Sequence, residues 1–158
     1  MHPTFVADCN VGKLARWLRA LGYDTEYRRV IGDAELVAIA LSQDRVLLTR
    51  DLDLTRRRVI VNGTVRTVLL KSDRIEEQLR QVVRELGLSE ENALTRCLEC
   101  NELLVAVSAA AVMARVPPYV GRTQTRYSEC RRCGRIYWAG THWSRIRRRL
   151  GAAVVPVG

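Results

Sequence analysis

No apolar run in this 158-residue chain approaches the roughly 20 residues that a membrane-spanning helix requires. Its most apolar stretch, Leu103 to Met113, is short and Arg115 closes it, so no membrane role is expected. Met1 to Asn10 has no basic segment followed by a long apolar run, so no secretory signal is read there and a cytoplasmic location is expected. Internal repeats and low-complexity tracts are missing too, which excludes a repeat array. Lysine is nearly absent: of 26 basic residues only Lys13 and Lys71 are lysines. Arginine's fork suits bidentate phosphate contacts better than an ammonium does, but a GC-rich genome yields the same excess, so the placement of the charge carries more weight.

Acidic residues are scarce in one region only. Residues 92–158 hold 11 basic and 3 acidic groups, a net +8, whereas residues 1–91 hold 15 and 14, a net +1, making up the total of +9. A surface of that sign attracts a polyanion, and nucleic acid is the expected partner. Hydrophobic content of 47% with 27% charged residues fits a folded globular chain. At this length the expectation is one small α/β domain plus a metal-stapled module too small to bury its own core.

Thr4 to Asp8 reads as a strand, and Val11, Leu14, Leu18 and Leu21 recur at helical spacing until Gly22. Tyr23 to Tyr27 reads as a second strand, Asp33 as the cap of a helix running to about Ser42, and Val46 to Thr49 as a third strand. Alternating strands and helices predict a parallel sheet. Val59 to Val61 and Val65 to Leu70 flank Asn62-Gly63, which predicts a hairpin and an antiparallel edge. A helix then begins at Ser72 or Asp73, with Ile75, Leu79, Val82, Val83 and Leu86 on one face, and stops at Gly87. The boundary between modules is placed near Ser89 to Ala93, giving a first domain over 1–91, a second over 92–150 and a loose tail over 151–158.

Cys97-x-x-Cys100 and Cys130-x-x-Cys133, 29 residues apart, form the paired knuckles that present four thiolates to zinc. A disulfide framework is disfavoured without a secretion signal. Four thiolates fill a tetrahedron, so the ion is expected to be structural and to contribute about 10 kcal/mol to folding. Zinc with four thiolates would offset about two positive charges of the module. His142 is read as a surface or nucleic-acid contact rather than a ligand, and Cys9 as a small buried residue. Thr141 is expected to cap a final helix carrying Arg145, Arg147, Arg148 and Arg149 beside Trp143, with Tyr137 and Trp138 just before; arginines among aromatics suit phosphate contact and base stacking, and also suit a solvated helix over core aromatics.

Asp8 ends strand one and Asp51 and Asp53 follow strand three, so a parallel sheet brings all three toward its carboxyl edge, with Asp33 joining from a helix start. Two carboxylates 4 Å apart repel by about 4 kcal/mol at an effective dielectric of 20, so such a cluster requires cations, for which Mg²⁺ or Mn²⁺ is the natural choice. Paired ions of that kind activate water for attack on a phosphodiester. Each aspartate also has a plainer reading: Asp33 as a helix cap, Asp53 as a loop residue, Asp8 as a turn former. Asp51-Leu52-Asp53-Leu54-Thr55 fits the DxDxT pattern of haloacid dehalogenase phosphatases, although that pattern normally follows the first strand.

The blocks FVADCNVGKLARWLRALGYDT, GDAELVAIA, VLLTRDLDL and RCLECNELL through CRRCGRIYWAGTHW resemble, in that order, the Mut-seven C-terminal ribonuclease domain family over residues 5 to about 150. That family is similar to PIN domains, metal-dependent ribonucleases on a Rossmann-like sheet, here with an appended zinc ribbon. The resemblance implies that Asp8 matches the first PIN acid, Asp51 the acid after the later strand and Asp53 its neighbour. Asp33 is preferred to Glu35 as the second acid. Lys13 and Arg16, near the start of helix one, are candidates to hold substrate phosphate, or else lie on its solvated face. Cys9-Asn10-Val11 departs from relatives, which usually carry methionine and leucine before the glycine. The resulting expectation is a metal-dependent ribonuclease, a hydrolase producing 5′-phosphate and 3′-hydroxyl ends. Asp8 and Asp51 would hold Mg²⁺ or Mn²⁺, and the basic zinc ribbon would grip RNA. The alternative is a non-catalytic RNA-binding or ribosome-associated protein.

Overall fold

A computed structural model describes residues 2–150, with the side chains of His142, Ile146, Arg149 and Leu150 outside the description. The tail expected over 151–158 lies outside the described residues. Four short strands, β1 (Phe5–Ala7), β2 (Thr25–Tyr27), β3 (Val46–Thr49) and β4 (Thr67–Leu69), form one sheet in the order β2-β1-β3-β4, and every pairing is parallel. β1 and β3 are buried along their whole length, as strands covered on both faces must be.

The pleat sorts their side chains. Phe5, Ala7, Val46 and Leu48 face one way and pack with Leu14 and Leu18 of α1 (Gly12–Ala20) and with Leu79, Val82 and Val83 of a later helix, Ile75–Leu86. Val6 and Leu47 face the other way and meet Leu36, Ile39 and Ala40 of α2 (Asp33–Ser42), together with Leu54 and Val65. The result is a mixed α/β sandwich with helices on both faces of a parallel sheet. α1 ends where expected: Gly22 has φ +92, and a Cβ there would fall 2.0 Å from the Asn92 carbonyl oxygen. The helix stop is therefore also the seat of the segment leading to the second module.

Two local expectations are corrected. Gly32, not Asp33, occupies the cap position of α2, and Asp33 is its first helical residue. No hairpin forms at Asn62-Gly63. Arg58–Val61 makes a short helix, α3, which Asn62 and Gly63 (φ +81) terminate, and the chain then enters β4 parallel to β3. The dipeptide does turn the chain, with Asn62 Oδ1 accepting from the Thr64 amide at 3.0 Å. Burial decides the rest: Val59 and Ile60 pack beside Leu54 and Val65 over the α2 face, and the Val65 amide donates to the Val59 carbonyl at 2.8 Å, so this run closes over the core instead of pairing as a strand. The helix after β4 is α4 (Ile75–Leu86), stopped by Gly87 at φ +63.

The remaining residues build an antiparallel sheet of β5 (Val105–Val107), β6 (Tyr127–Glu129) and β7 (Ile136–Tyr137) in that order. Between β5 and β6 lie α5 (Ala109–Val112) and α6 (Pro118–Thr123). Buried hydrophobics here are few: Val112, Val116 and Tyr127, with Trp138 edge-on to Tyr127. The final helix, α7 (Thr141–Leu150), packs on α4 and lays Trp143 against the sheet's core. No described helix is long and apolar enough to cross a membrane.

Candidate functional site

In the order β2-β1-β3-β4 the connections from β1 and toward β3 leave to opposite sides, so a topological switch point opens at the carboxyl ends of β1 and β3. Asp8 and Asp51 stand there. Asp8 is only 5% exposed; its Oδ1 accepts the Cys9 amide at 2.7 Å and its Oδ2 accepts the Thr49 hydroxyl at 2.7 Å. Thr49 Oγ1 in turn accepts the Asp51 amide at 3.0 Å. The fully buried threonine thus links the two acids across neighbouring strands. Asp51 Oδ1 accepts the amides of Asp53, at 2.9 Å, and Leu54, at 3.4 Å, which fixes the carboxylate over the turn at Leu54–Arg56.

The other candidate acids are more open. Asp53 has a side chain 84% exposed and paired with Arg56 at 3.0 Å. Asp33 is exposed in the first turn of α2, while Glu35, one turn face away, pairs with Arg28. Both belong to the first turn of α2, the helix that follows β2 in the chain. The structure therefore joins Asp8 to Asp51, sets Asp53 on the adjoining turn, and leaves Asp33 and Glu35 at the neighbouring helix start. Both hydrogen bonds to buried Asp8 come from neutral donors. Among the described residues, no three of these acids gather their oxygens closely enough to form a metal-binding group.

Lys13 is exposed at the mouth of a cleft of about 600 Å³ bordered by Asn10, Gly12, Arg16 and Tyr27. A Cβ on Gly12 would come within 2.7 Å of the Tyr27 ring, whose hydroxyl donates to the Cys9 carbonyl at 3.1 Å. Glycine here lets the end of β2 close on the turn after Asp8. Arg16 pairs with Glu99 of the first cysteine knuckle. Arg145 and Arg148 are exposed on α7, Arg147 makes two bonds to Glu90 at 2.9 and 2.6 Å, and the Arg149 side chain lies outside the described residues.

The sulfurs of Cys97, Cys100, Cys130 and Cys133 all lie within 4.8 Å of one another. A tetrahedron of thiolates at a zinc–sulfur distance of about 2.3 Å has edges of about 3.8 Å. Cys97 and Cys133 stand 3.7 Å apart, so these four could hold a zinc ion. Each knuckle turns on a left-handed residue, Asn101 at φ +65 and Gly134 at φ +76. Burial would push the Cys97 thiol up, but hydrogen bonds from the Tyr137 hydroxyl and from the amides of Cys100 and Glu99 outweigh it and hold it at about 7. Burial and the neighbouring sulfurs push Cys100 up to about 12. Cys9 proves exposed rather than buried, beside Asp8.

A family model described as the Mut7-C RNAse domain matches residues 3–150. The chain belongs to the Mut7-C RNAse domain family. No curated protein and no solved structure matches it significantly. In this Mut7-C RNAse domain, sequence reasoning passed over Thr49, whose strand-end position two residues before Asp51 was the one available sign. It also passed over Tyr137 as the donor to Cys97, at 3.2 Å. The joint between the modules had no local signal. Buried Arg19 donates to the carbonyls of Thr25, at 3.0 Å, and Leu98, at 2.8 Å. Asn101 donates to Asp24 at 2.7 Å and accepts the Thr25 amide at 3.0 Å.

Proposed function

We propose that this protein is a metal-dependent ribonuclease, with a PIN-like nuclease module over residues 1–91 and a structural zinc ribbon over 92–150 that grips RNA. The observation that carries this reading is the Asp8–Thr49–Asp51 chain at the switch point of a parallel sheet, in a member of a ribonuclease family. Asp8 and Asp51 would hold Mg²⁺ or Mn²⁺, with Asp53 and Asp33 completing the acidic edge. Bound there, the ion would activate water and stabilise the leaving oxygen of a phosphodiester. Thr49 ties the Asp8 carboxylate to the Asp51 backbone, and the amides of Asp53 and Leu54 occupy one oxygen of Asp51, which would leave Oδ2 for a cation. Lys13 would hold a phosphate in the cleft that it lines with Asn10, and the net +8 of residues 92–158 would supply the long-range attraction. A cytoplasmic location fits this role.

The test incubates zinc-loaded protein with labelled single-stranded and structured RNA in Mn²⁺, Mg²⁺ or no divalent cation, beside the Asp8→Asn plus Asp51→Asn variant. Metal-dependent products that fall by at least about hundredfold in the variant are expected, the order of effect carried by metal-held chemistry. Products that persist in the variant would sink the mechanism. Salt-sensitive binding without products would favour the non-catalytic RNA-binding reading.

A further inference from the structure

A second cleft, of about 310 Å³, lies where three elements distant in sequence converge. Its walls are Trp17 from α1, Tyr137 and Trp138 at the end of β7, Trp143 from α7 and Leu94 from the linking segment, with Arg16 at its edge. Three of these are the chain's only tryptophans. An interface whose aromatics served only to fill space would close on itself, whereas this one leaves a void in the size range of small-ligand pockets, ~300 Å³ and above. Leu94 contributes from a left-handed backbone, φ +62, with its amide fastened to the Ala20 carbonyl at 2.8 Å. A non-glycine residue held there is strained and persists only where its surroundings hold it.

The chain on either side of the aromatic residues is rich in arginine. Arg131, Arg132 and Arg135 are exposed on the knuckle leading into Tyr137 and Trp138, and Arg145 and Arg148 are exposed on α7 just past Trp143. An apolar, aromatic cleft within a region of net +8 is complementary to a base whose neighbouring phosphates remain in solvent. A duplex, with its bases already stacked, presents no such group. We propose that this cleft binds one unstacked nucleobase of a single-stranded RNA. It shares Arg16 and Leu98 with the cleft that runs past Lys13 and Asn10 to the turn after Asp8. From Gly12 to Trp17 the helix rises only about 8 Å, so the captured base sits a short span of backbone from the carboxylate edge. This last link, from base to scissile phosphate, rests on the ribonuclease reading; the base pocket itself does not.

The test measures binding by anisotropy with zinc-loaded Asp8→Asn plus Asp51→Asn protein, so that cleavage cannot interfere. The probes are a labelled single-stranded RNA of about eight nucleotides, the same ribose-phosphate backbone without bases, and a duplex. The base-bearing strand is expected to bind roughly ten- to hundredfold tighter than the base-free backbone. Adding Trp138→Ala should remove that difference while leaving base-free binding and the salt slope unchanged. Because Trp138 also packs against Tyr127, Leu94→Gly is the second variant: it suits the left-handed backbone and removes a wall, and should weaken base-bearing strands alone. Zinc content and the thermal transition report folding of both. Equal binding of base-bearing and base-free strands, equal loss of both in the variants, preference for duplex, or no binding at all would overturn the proposal. Failure of the nuclease reading appears separately, as base-dependent binding by wild-type protein that yields no products.

Discussion

The two modules are built on opposite plans. The sheet module buries two hydrophobic clusters, one on each face of its parallel strands, with Phe5, Leu14, Leu18, Leu36, Leu47 and Leu48 fully inaccessible. The cysteine module buries Val112, Val116 and Tyr127 and little else, and its remaining buried groups are the sulfurs of Cys97 and Cys130. Apolar area stabilises the first by the hydrophobic effect, and a zinc ion on the four cysteines would stabilise the second. Their charges divide the same way, near neutral in the first and strongly basic in the second. With four coordinate bonds in place of the apolar residues it lacks, such a module would be free to devote its surface to a polyanion.

Zinc removal should therefore separate the two most sharply. A chelator, or Cys130→Ser, should withdraw on the order of 10 kcal/mol from the second module while the sheet stays folded. Hydrogen exchange checks this: amides of residues 96–138 should lose protection and those of β1 and β3 should keep it. Simultaneous loss in both would mean that the sheet depends on the joint at Arg19 and Gly22 more than its own core implies.

Leu47→Ala is the reciprocal change. It opens a cavity on the α2 face, and should cost about 2–5 kcal/mol in denaturant unfolding with zinc stoichiometry unchanged. Asp24 probes the joint itself. Burial acts to raise its pKa, but hydrogen bonds from Arg45 and Asn101 prevail and hold it below the ordinary 3.8. A depressed carboxylate adds stability that is present above its unfolded pKa and lost as pH falls through its folded one. Asp24→Asn should then destabilise by about 1–2 kcal/mol at pH 7, allowing for solvent at a partly exposed site. The gap to wild type in melting temperature should close below pH 4. A gap that stays constant with pH would assign the loss to packing.

How much of this was legible in the sequence depends on how local each determinant is. The cysteine knuckles were, because ligand type and a two-residue spacing specify the chemistry within a few residues. Strands β1 and β3 were, because both faces of a parallel strand are apolar, and so were the helix stops at Gly22 and Gly87. Asn62-Gly63 misled because the same turn chemistry can close a hairpin or end a helix, and burial of Val59 and Ile60 chose between them. Gly32 took the cap that Asp33 was expected to hold, which moves Asp33 into the helix without changing where α2 ends. Arg19 reaching Leu98 and Asn101 reaching Asp24 join residues 79 and 77 apart, and nothing in either neighbourhood announces its partner.

The smallest expected effect is at Glu90 and Arg147, where α7 meets the linking segment. Geometry alone suggests a strong contact: the guanidinium places two nitrogens on the two carboxylate oxygens, and the hydrogen bond and charge of Glu90 raise the Arg147 pKa. Exposure argues the other way, since the arginine side chain is 54% accessible and water and salt compete for both partners. What holds α7 in place is Trp143 against the sheet's core, a contact that salt does not weaken. Glu90→Gln should accordingly leave the melting temperature nearly unchanged, and raising the salt should erase any small difference. A large, salt-insensitive drop would mean that the ion pair, and not the tryptophan, binds the basic helix to the sheet, and that the two modules are coupled by charge as well as by packing.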